Sequence, residues 1–261
     1  MNILNQIIAS KKQEVALKKS IITINQLENS DLFNTKTHSL SKSIINSPFG
    51  IIAEHKRRSP SKATINHSLA VEEVVKGYEN AGASGISVLT DSQYFGGSLD
   101  DLLLAKASLN TPLLRKEFII DEYQILEAKA NGADAILLIA AVLTRAEIKT
   151  LSEFAHSIAL EVLLEVHNLE ELEKSIMPSL DIIGMNNRNL KTFEVSLQNS
   201  IDLVTQIPND FVKISESGLS KPEDVKLLKS QGFQGFLIGE NFMKTDNPGA
   251  ALEQFINQLK V

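Results

Sequence analysis

From Gly50 onward the chain alternates short apolar runs with stretches whose apolar residues recur at helical spacing. Ile51-Ile52-Ala53 reads as a strand buried on both faces, because a strand covered on each side keeps no polar face to alternate with. Val71, Val74, Val75 and Tyr78 then give the i, i+3, i+4, i+7 stripe of a helix lying on a sheet, ending near Gly82 as its cap. Ile86-Ser87-Val88-Leu89 reads as the next strand. The unit recurs with Asn131-Gly132 before Ile136-Leu137-Leu138-Ile139, and with Gln231-Gly232 before Phe236-Leu237-Ile238. Further strands are predicted at Leu113-Leu114-Arg115, Val162-Leu163-Leu164, Asp181-Ile182-Ile183 and Phe211-Val212-Lys213-Ile214. Helical stripes lie at Ile148, Leu151, Ala155 and Ile158, and at Leu252, Phe255, Ile256 and Leu259. Eight strands, each followed by a helical segment, predict a parallel sheet with crossovers. Eight such units in roughly 210 residues fit a (β/α)8 TIM barrel, an α/β fold. A doubly wound open sheet is the alternative, disfavoured because no Gly-rich phosphate turn follows the first strand.

Ahead of this pattern, residues 1 to about 20 form an amphipathic helix in which Leu4, Ile7, Ile8 and Val15 share a face with lysines between them. Residues 20 to 47 are rich in Ser, Thr and Asn and predict irregular structure or a short helix near Leu27. We therefore expect one domain over residues 1–261, with residues 1–47 an N-terminal helical extension packing on the barrel. Because that extension supplies no strand, removing the residues before about 46 should leave a folded barrel with weakened substrate affinity.

Composition narrows the classes. With 43% hydrophobic and 22% charged residues in 261, the chain can bury a full core. It has no cysteine, which excludes disulfides, thiolate catalysis and cysteine metal sites. A formal net charge of -6, with Lys56-Arg57-Arg58 the only notable basic cluster, argues against nucleic acid as a partner. The longest apolar run, Ala135 to Leu143, is too short for a membrane span. Met1-Asn2-Ile3-Leu4-Asn5 lacks the basic start of a signal peptide. A cytoplasmic protein is expected, without membrane or nucleic-acid partners, as a monomer or weak homo-oligomer.

The candidate chemistry lies where the strands end, since barrel active sites form at the C-terminal ends of the strands. The first strand ends in Glu54 and Lys56, which alternation places on the same side as Ile52. Charges buried there must be paired, solvated in a cleft, or used. The other ends carry Thr90-Asp91, Lys116, Glu165, Asn186-Asn187-Arg188, Ser215-Glu216-Ser217-Gly218 and Gly239-Glu240. Parity aims Lys116, Glu165, Asn186 and Glu216 inward with Leu114, Leu163, Ile182 and Ile214. Each residue has a plainer reading. Glu54 and Lys56 could form a solvated cluster, and Glu165 a salt bridge that only holds the mouth. Lys116 could belong to a solvated run with Arg115 and Glu117, Asn186 could cap a turn, and the small residues could merely turn the chain. Small residues after the last two strands also let backbone N–H groups approach an anion, as at the usual barrel phosphate site. The five histidines show no metal-ligand spacing, and no metal or cofactor is expected. Lys116 as a Schiff-base nucleophile is the rival mechanism.

The ordered motifs resemble indole-3-glycerol phosphate synthases from Ile3 almost to the C-terminus. They are Ile52-Ala53-Glu54-x-Lys56-x-x-Ser59-Pro60-Ser61, Ser87-Val88-Leu89-Thr90-Asp91, Leu114-Arg115-Lys116-x-Phe118-Ile119 and Glu165-Val166-His167. Gly184-x-Asn186-Asn187-Arg188-Asn189-Leu190, Ser215-Glu216-Ser217-Gly218 and Ile238-Gly239-Glu240 follow in the family's order. Met185 replaces a usual isoleucine, and His55 and Gly97 stand where the family varies. The resemblance implies ring closure of 1-(2-carboxyphenylamino)-1-deoxyribulose 5-phosphate with loss of carbon dioxide and water, without cofactor or metal. It implies Lys116 as general acid on the ribulose carbonyl and Glu165 in proton transfer during dehydration. Lys56 would hold the substrate carboxylate and Glu54 would orient the lysines. Ser59, Phe95, Asn186, Arg188, Glu216 and Ser217 would line the substrate pocket, Phe95 together with the extension flanking the aromatic ring. Lys56 and the backbone of Gly218, Gly239 and Glu240 would take the phosphate. Phosphoribosylanthranilate isomerase, another phosphate-binding barrel, is disfavoured by the absence of cysteine and the presence of both lysines. A catalytically silent phosphosugar-binding barrel is the alternative from another class.

Overall fold

The computed structural model describes residues 3–189 and 194–261. Met1 and Asn2 lie outside the described residues, as does Leu190, the last residue of the fifth motif. Three helices come first: α1 (Ile3–Ile21), α2 (Ile24–Glu28) and α3 (Leu40–Asn46). The first half of the barrel is β1 (Ile51–His55), α4 (Val71–Asn80), β2 (Gly85–Leu89), α5 (Ser92–Phe95), α6 (Leu99–Ser108), β3 (Leu113–Lys116), α7 (Glu122–Ala130) and β4 (Ala135–Ile139). Then come α8 (Arg145–Ser157), β5 (Glu161–Val166), α9 (Leu169–Ser175), β6 (Ile182–Asn186), α10 (Gln198–Leu203) and β7 (Val212–Glu216). The last elements are α11 (Pro222–Ser230), β8 (Gly235–Ile238), α12 (Glu240–Met243) and α13 (Pro248–Leu259).

The strands are parallel, neighbour each other in chain order, and close with β1 against β8, where Ala53 faces Ile238. This is a (β/α)8 TIM barrel with an N-terminal helical segment. Alternate strand residues point opposite ways, so two cores form. Ile52, Leu114, Leu137, Leu163, Ile182, Ile214 and Leu237 fill the barrel interior. Ile51, Ala53, Ile86, Val88, Leu138, Val162 and Leu164 pack outward against the helices. At the seam α4 meets α13 backbone to backbone: a Cβ on Gly249 would stand 2.7 Å from the Gly77 Cα, so only paired glycines allow that approach.

The serine-rich stretch before β1 contains α3, which the sequence pattern does not predict. Ser39 caps it, accepting from the Lys42 N–H, and the Ser39 and Ser41 hydroxyls donate to Glu161 Oε1 at 2.5 and 2.8 Å. Of its three apolar residues, Ile45 is exposed, while Leu40 and Ile44 are one turn apart, fully buried, and belong to the interior core. They close the floor of the barrel. A Cβ on Gly85 would stand 2.3 Å from Leu40 Cδ1, so the glycine that starts β2 makes room for this plug. Cutting the chain at about residue 46 would therefore open the interior core, contrary to the expectation of a folded remainder.

Along α1, Ile7, Lys11 and Val15 are the buried residues. Val15 and Leu27 pack on Tyr123, Leu126 and Ala130 of α7. Lys11 departs from the expected solvated lysine face: it is 2% exposed, with Nζ 3.1 Å from both Asp91 Oδ2 and Glu117 Oε1, and 2.6 Å from Glu14. Burial alone would lower its pKa, but the carboxylates around it, Glu117 foremost, outweigh burial and raise it. The ammonium thus locks the extension onto the segments that follow β2 and β3.

Candidate active site

The inward parity of the strands carries charge from the apolar core up to the mouth. In β1, Ile52 faces the interior and Glu54 follows it, with Lys56 one residue past the strand. Lys56 Nζ stands 2.6 Å from Glu54 Oε1. In β3, Leu114 is followed inward by Lys116, whose Nζ lies 3.0 Å from Glu165 Oε2 and 2.7 Å from Glu216 Oε2. Those carboxylates end β5 and β7 by the same rule. Gly184 of β6 is what lets Glu216 turn in, because a Cβ there would stand 2.2 Å from Glu216 Oε1. Asn186 hydrogen-bonds Glu165 and also accepts the Arg188 N–H at 2.9 Å, so it caps the turn and touches the cluster together.

The Lys116 ammonium is shared between the carboxylates of Glu165 and Glu216, and their protonation divides accordingly. Burial would raise Glu165, but Lys116 first, then His167 and hydrogen bonds from Lys116 and Asn186, bring it down to about 2. Burial pushes Glu216 up to about 7, helped by the charges of Glu165 and Glu54 and opposed by Lys116. Lys116 is itself raised, since the charges of Glu165, Glu216 and Glu54 outweigh its desolvation. Glu216 Oε1 is buried without a hydrogen-bond partner, which leaves it available to a ligand. Near neutral pH the mouth thus holds an ammonium, an ionised carboxylate and a carboxyl group poised to titrate. Such a set can give and take protons within one cavity.

Lys116 is not part of a solvated run. Its neighbour Arg115 points out of the barrel and is 1% exposed, bonding Glu127 Oε2 at 2.8 Å, the Gln124 carbonyl at 2.6 Å and Thr90 Oγ1 at 3.1 Å. Glu117 is equally enclosed and accepts from Thr90 Oγ1 at 2.9 Å.

A cavity of about 420 Å³ opens over this cluster. Every site residue read from the sequence lines it: Glu54, Lys56, Ser59, Phe95, Lys116, Glu165, Asn186, Arg188, Glu216, Ser217, Gly218, Gly239 and Glu240. Its apolar wall includes Ile3, Leu4 and Ile7 of the extension, and Phe118, whose ring centroid is 5.9 Å from that of Phe95. Phe118 is a wall residue that the sequence reading leaves without a role. Its position two residues beyond Lys116, on the same side by alternation, is the signal that could have found it.

At the opposite wall Ser217 and Gly218 both take positive φ, 69° and 76°. For serine this conformation is costly, and such residues concentrate at functional sites. Asn187 holds the turn, donating from Nδ2 to Ser215 Oγ at 2.9 Å and to the Ser217 carbonyl at 3.1 Å. Gly239 is needed for space, because a Cβ would stand 2.5 Å from Glu54 Oε1. The Glu240 carboxylate is tied to Lys62 at 3.0 Å. Burial would raise it, but Lys62, Lys56 and Arg188 hold it below its usual range. The first N–H groups of α12, at Glu240 and Asn241, have no acceptor within the helix, and both residues line the cavity. Among the described residues no group of three or more His, Asp or Glu is arranged to hold a metal ion.

Known proteins resemble this chain along nearly its whole length. Residues 4–255 match the family model described as indole-3-glycerol phosphate synthase. The protein of that name from Bacteroides thetaiotaomicron is 49% identical over 259 residues, covering 99% of each chain. That from Polynucleobacter necessarius is 41% identical over 265 residues, covering 98% of this chain and 99% of the relative. That from Bordetella pertussis is 39% identical over 259 residues, covering 98% and 99%. Among solved structures, a thiamine phosphate pyrophosphorylase from Pyrococcus furiosus aligns at TM-score 0.60 and 15% identity, covering 85% of this chain and 98% of that one. A mutant tryptophan synthase alpha-subunit from the same organism aligns at TM-score 0.59 and 14% identity, covering 80% and 97%. At that identity the structural likeness speaks for the barrel alone.

Proposed function

The chain belongs to the indole-3-glycerol phosphate synthase family, and on that premise we propose how its own residues divide the reaction. The enzyme is a carboxy-lyase of tryptophan biosynthesis. It closes the indole ring on 1-(2-carboxyphenylamino)-1-deoxyribulose 5-phosphate, with loss of carbon dioxide and then of water. In the assignment proposed here, the substrate's benzene ring lies against Phe95, Phe118 and the apolar face of α1, with its phosphate across the cavity at Ser217-Gly218 and Gly239-Glu240. Lys56 holds the substrate carboxylate and reaches toward the phosphate, while Glu54 fixes the Lys56 ammonium.

Ring closure joins the carboxylate-bearing ring carbon to the ribulose carbonyl carbon. The carbonyl oxygen gains a proton and becomes a hydroxyl, and Lys116 is its donor. Departure of carbon dioxide restores the aromatic ring. Dehydration then expels that hydroxyl as water and removes a proton from the neighbouring carbon, with Lys116 and Glu165 as the acid–base pair. Asn186, Arg188, Glu216 and Ser59 complete the polar lining. The observation that carries this assignment is the single ammonium of Lys116 held between Glu165 and Glu216 at the floor of the cavity. We read residues 1–261 as one domain with residues 1–47 as its extension, since Ile7 and Val15 are buried and Val15 packs on α7 of the barrel. We place the enzyme in the cytoplasm as a monomer or weak homo-oligomer, acting without metal or cofactor.

Two measurements test the assignment. A crystal grown in sulfate should hold an ion at Ser217-Gly218 and Gly239-Glu240; an ordered ion only elsewhere would remove the phosphate from this wall. Lys56→Ala should raise KM for the substrate and weaken inhibition by inorganic phosphate, since it loses an anion contact. An unchanged KM would take Lys56 out of the binding site.

A further inference from the structure

Behind Glu165 lies a group that the assignment above does not use. The Oε2 atom of Glu165 faces Lys116, and the other oxygen, Oε1, is 3.3 Å from His167 Nε2, an ion-pair distance at which Nε2 makes no hydrogen bond among the described residues. His167 follows Glu165 by two residues, so the continuing strand geometry turns both to the same side. The second ring nitrogen, Nδ1, is 3.1 Å from Glu171 Oε2, which also accepts the His167 backbone N–H at 2.9 Å. Asn168 Nδ2 donates to the other Glu171 oxygen at 3.0 Å, fixing that carboxylate on the first turn of α9. The imidazole is enclosed, with a side-chain exposure of 9%, and does not line the cavity. From α10, Asn199 Nδ2 holds the His167 carbonyl at 2.8 Å. The charged groups that act on the ring are Glu165 on β5, Glu171 on α9 and Glu216 on β7.

We propose that His167 is a positioning residue of the reaction: as an imidazolium hydrogen-bonded to Glu171 and set 3.3 Å from Glu165 Oε1, it holds that carboxylate in place by its charge and keeps it ionised until the dehydration step needs a base. A neutral imidazole that donates its Nδ1–H to Glu171 would turn only a lone pair toward Glu165, whereas the cation turns an N–H and a positive charge toward it. Burial works against the charge, but the Glu171 hydrogen bond and the carboxylates of Glu165, Glu171 and Glu216 outweigh it and raise the His167 pKa. Deprotonation as the pH rises would then release Glu165 Oε1. The inference rests on the reading of Glu165 as the proton-transfer group.

The test is the pH profile of turnover in His167→Gln, His167→Phe and Glu171→Gln. His167→Gln keeps a neutral donor in reach of Glu165 but cannot titrate. It should lose the alkaline limb that belongs to His167, and its acidic limb should move to higher pH because Glu165 loses a cationic neighbour. His167→Phe should lower kcat by about tenfold, the scale of one pKa unit of lost support, with KM little changed. Glu171→Gln touches neither substrate nor Glu165, yet should move the alkaline limb to lower pH. Ring ¹⁵N shifts of His167 in the wild type give a readout independent of activity and of any variant's folding: both nitrogens should be protonated at neutral pH. A singly protonated ring there would overturn the proposal, as would variant profiles that superimpose on the wild type. Glu165→Gln serves as the control. Should it retain the wild-type rate, the reading of Glu165 is what fails; should it be inactive while the His167 and Glu171 profiles stay unchanged, only the positioning role fails.

Discussion

Lys116→Ala should lower kcat by about 100-fold to 10,000-fold, the range of a lost general acid, while KM stays close to the wild-type value. The assay is direct, because the protein has no tryptophan and only three tyrosines. Formation of an indole product therefore appears as rising fluorescence against a dark background. A variant that turns over at the wild-type rate would displace Lys116 from the acid's role. Borohydride added with substrate separates the rival chemistry, since a Schiff base on Lys116 would be trapped as a covalent adduct. The same substitution should also change how stability depends on pH. In the wild type, Glu165 is held at about 2, so its contribution is present above its unfolded pKa of about 4.3 and is lost as pH falls toward 2. Glu216 runs the other way: raised to about 7, its contribution is full below about 4.3 and lost as pH rises through 7. Without the ammonium the buried carboxylates repel, and removing one partner of such a cluster typically costs about 3–5 kcal/mol. Lys116→Ala should thus be least stable above neutral pH and recover as the pH falls. Equal losses at pH 5 and pH 8 would contradict the split between an ionised Glu165 and a Glu216 that titrates near neutral pH.

The largest effect on folding alone is expected at the floor of the barrel. Leu40→Ala should destabilise the protein by about 2–5 kcal/mol, the usual cost of truncating a buried leucine whose surroundings cannot collapse. Here they cannot, because Leu40 is wedged against Gly85 and the first residues of the strands. Urea unfolding measures the loss. Activity per folded molecule should be unchanged, since the plug sits at the end of the barrel opposite the mouth. Truncation gives the matching contrast. Removing residues before about 36 spares α3 and should leave a folded barrel with a raised KM, because the cavity loses Ile3, Leu4 and Ile7. Removing residues before 47 should abolish folding. A truncation that keeps its unfolding transition after losing α3 would show the plug to be dispensable.

What could be read from the chain alone follows from where each residue's partners lie. Strands buried on both faces announce themselves as apolar runs, and parity then carries the reading from Leu114 to Lys116 and from Leu163 to Glu165 without any structure. Lys11, Arg115 and α3 were not legible in that way. A lysine on a helix with a carboxylate at i+3 looks solvated, and nothing near Lys11 in the sequence points to Asp91 or Glu117. Arg115 finds Glu127 and Thr90 only once β3, α7 and β2 are side by side. In α3 three apolar residues, one of them exposed, among serines and a lysine carry too little periodicity to mark a helix, and its stability comes from Glu161 and the barrel floor. His167 stood inside a recognised motif, yet its role depends on the turn that brings Glu171 back onto its ring.

The seam has a consequence for how the protein is made on the ribosome. β1 is among the first parts of the barrel to be synthesised, and one of its two edges pairs only with β8. At Gly77, α4 is met by α13 at Gly249. Until residues 235–259 have emerged, a nascent chain presents an unpaired strand edge and an uncovered helix face at its leading end. Such surfaces invite pairing with other chains, and contacts this distant in sequence form slowly. The first strand completed is therefore the last to be closed, and it is the one that carries Glu54 and leads into Lys56. Chaperone protection during synthesis would matter most at the strand that brings Glu54 and Lys56 to the mouth of the cavity.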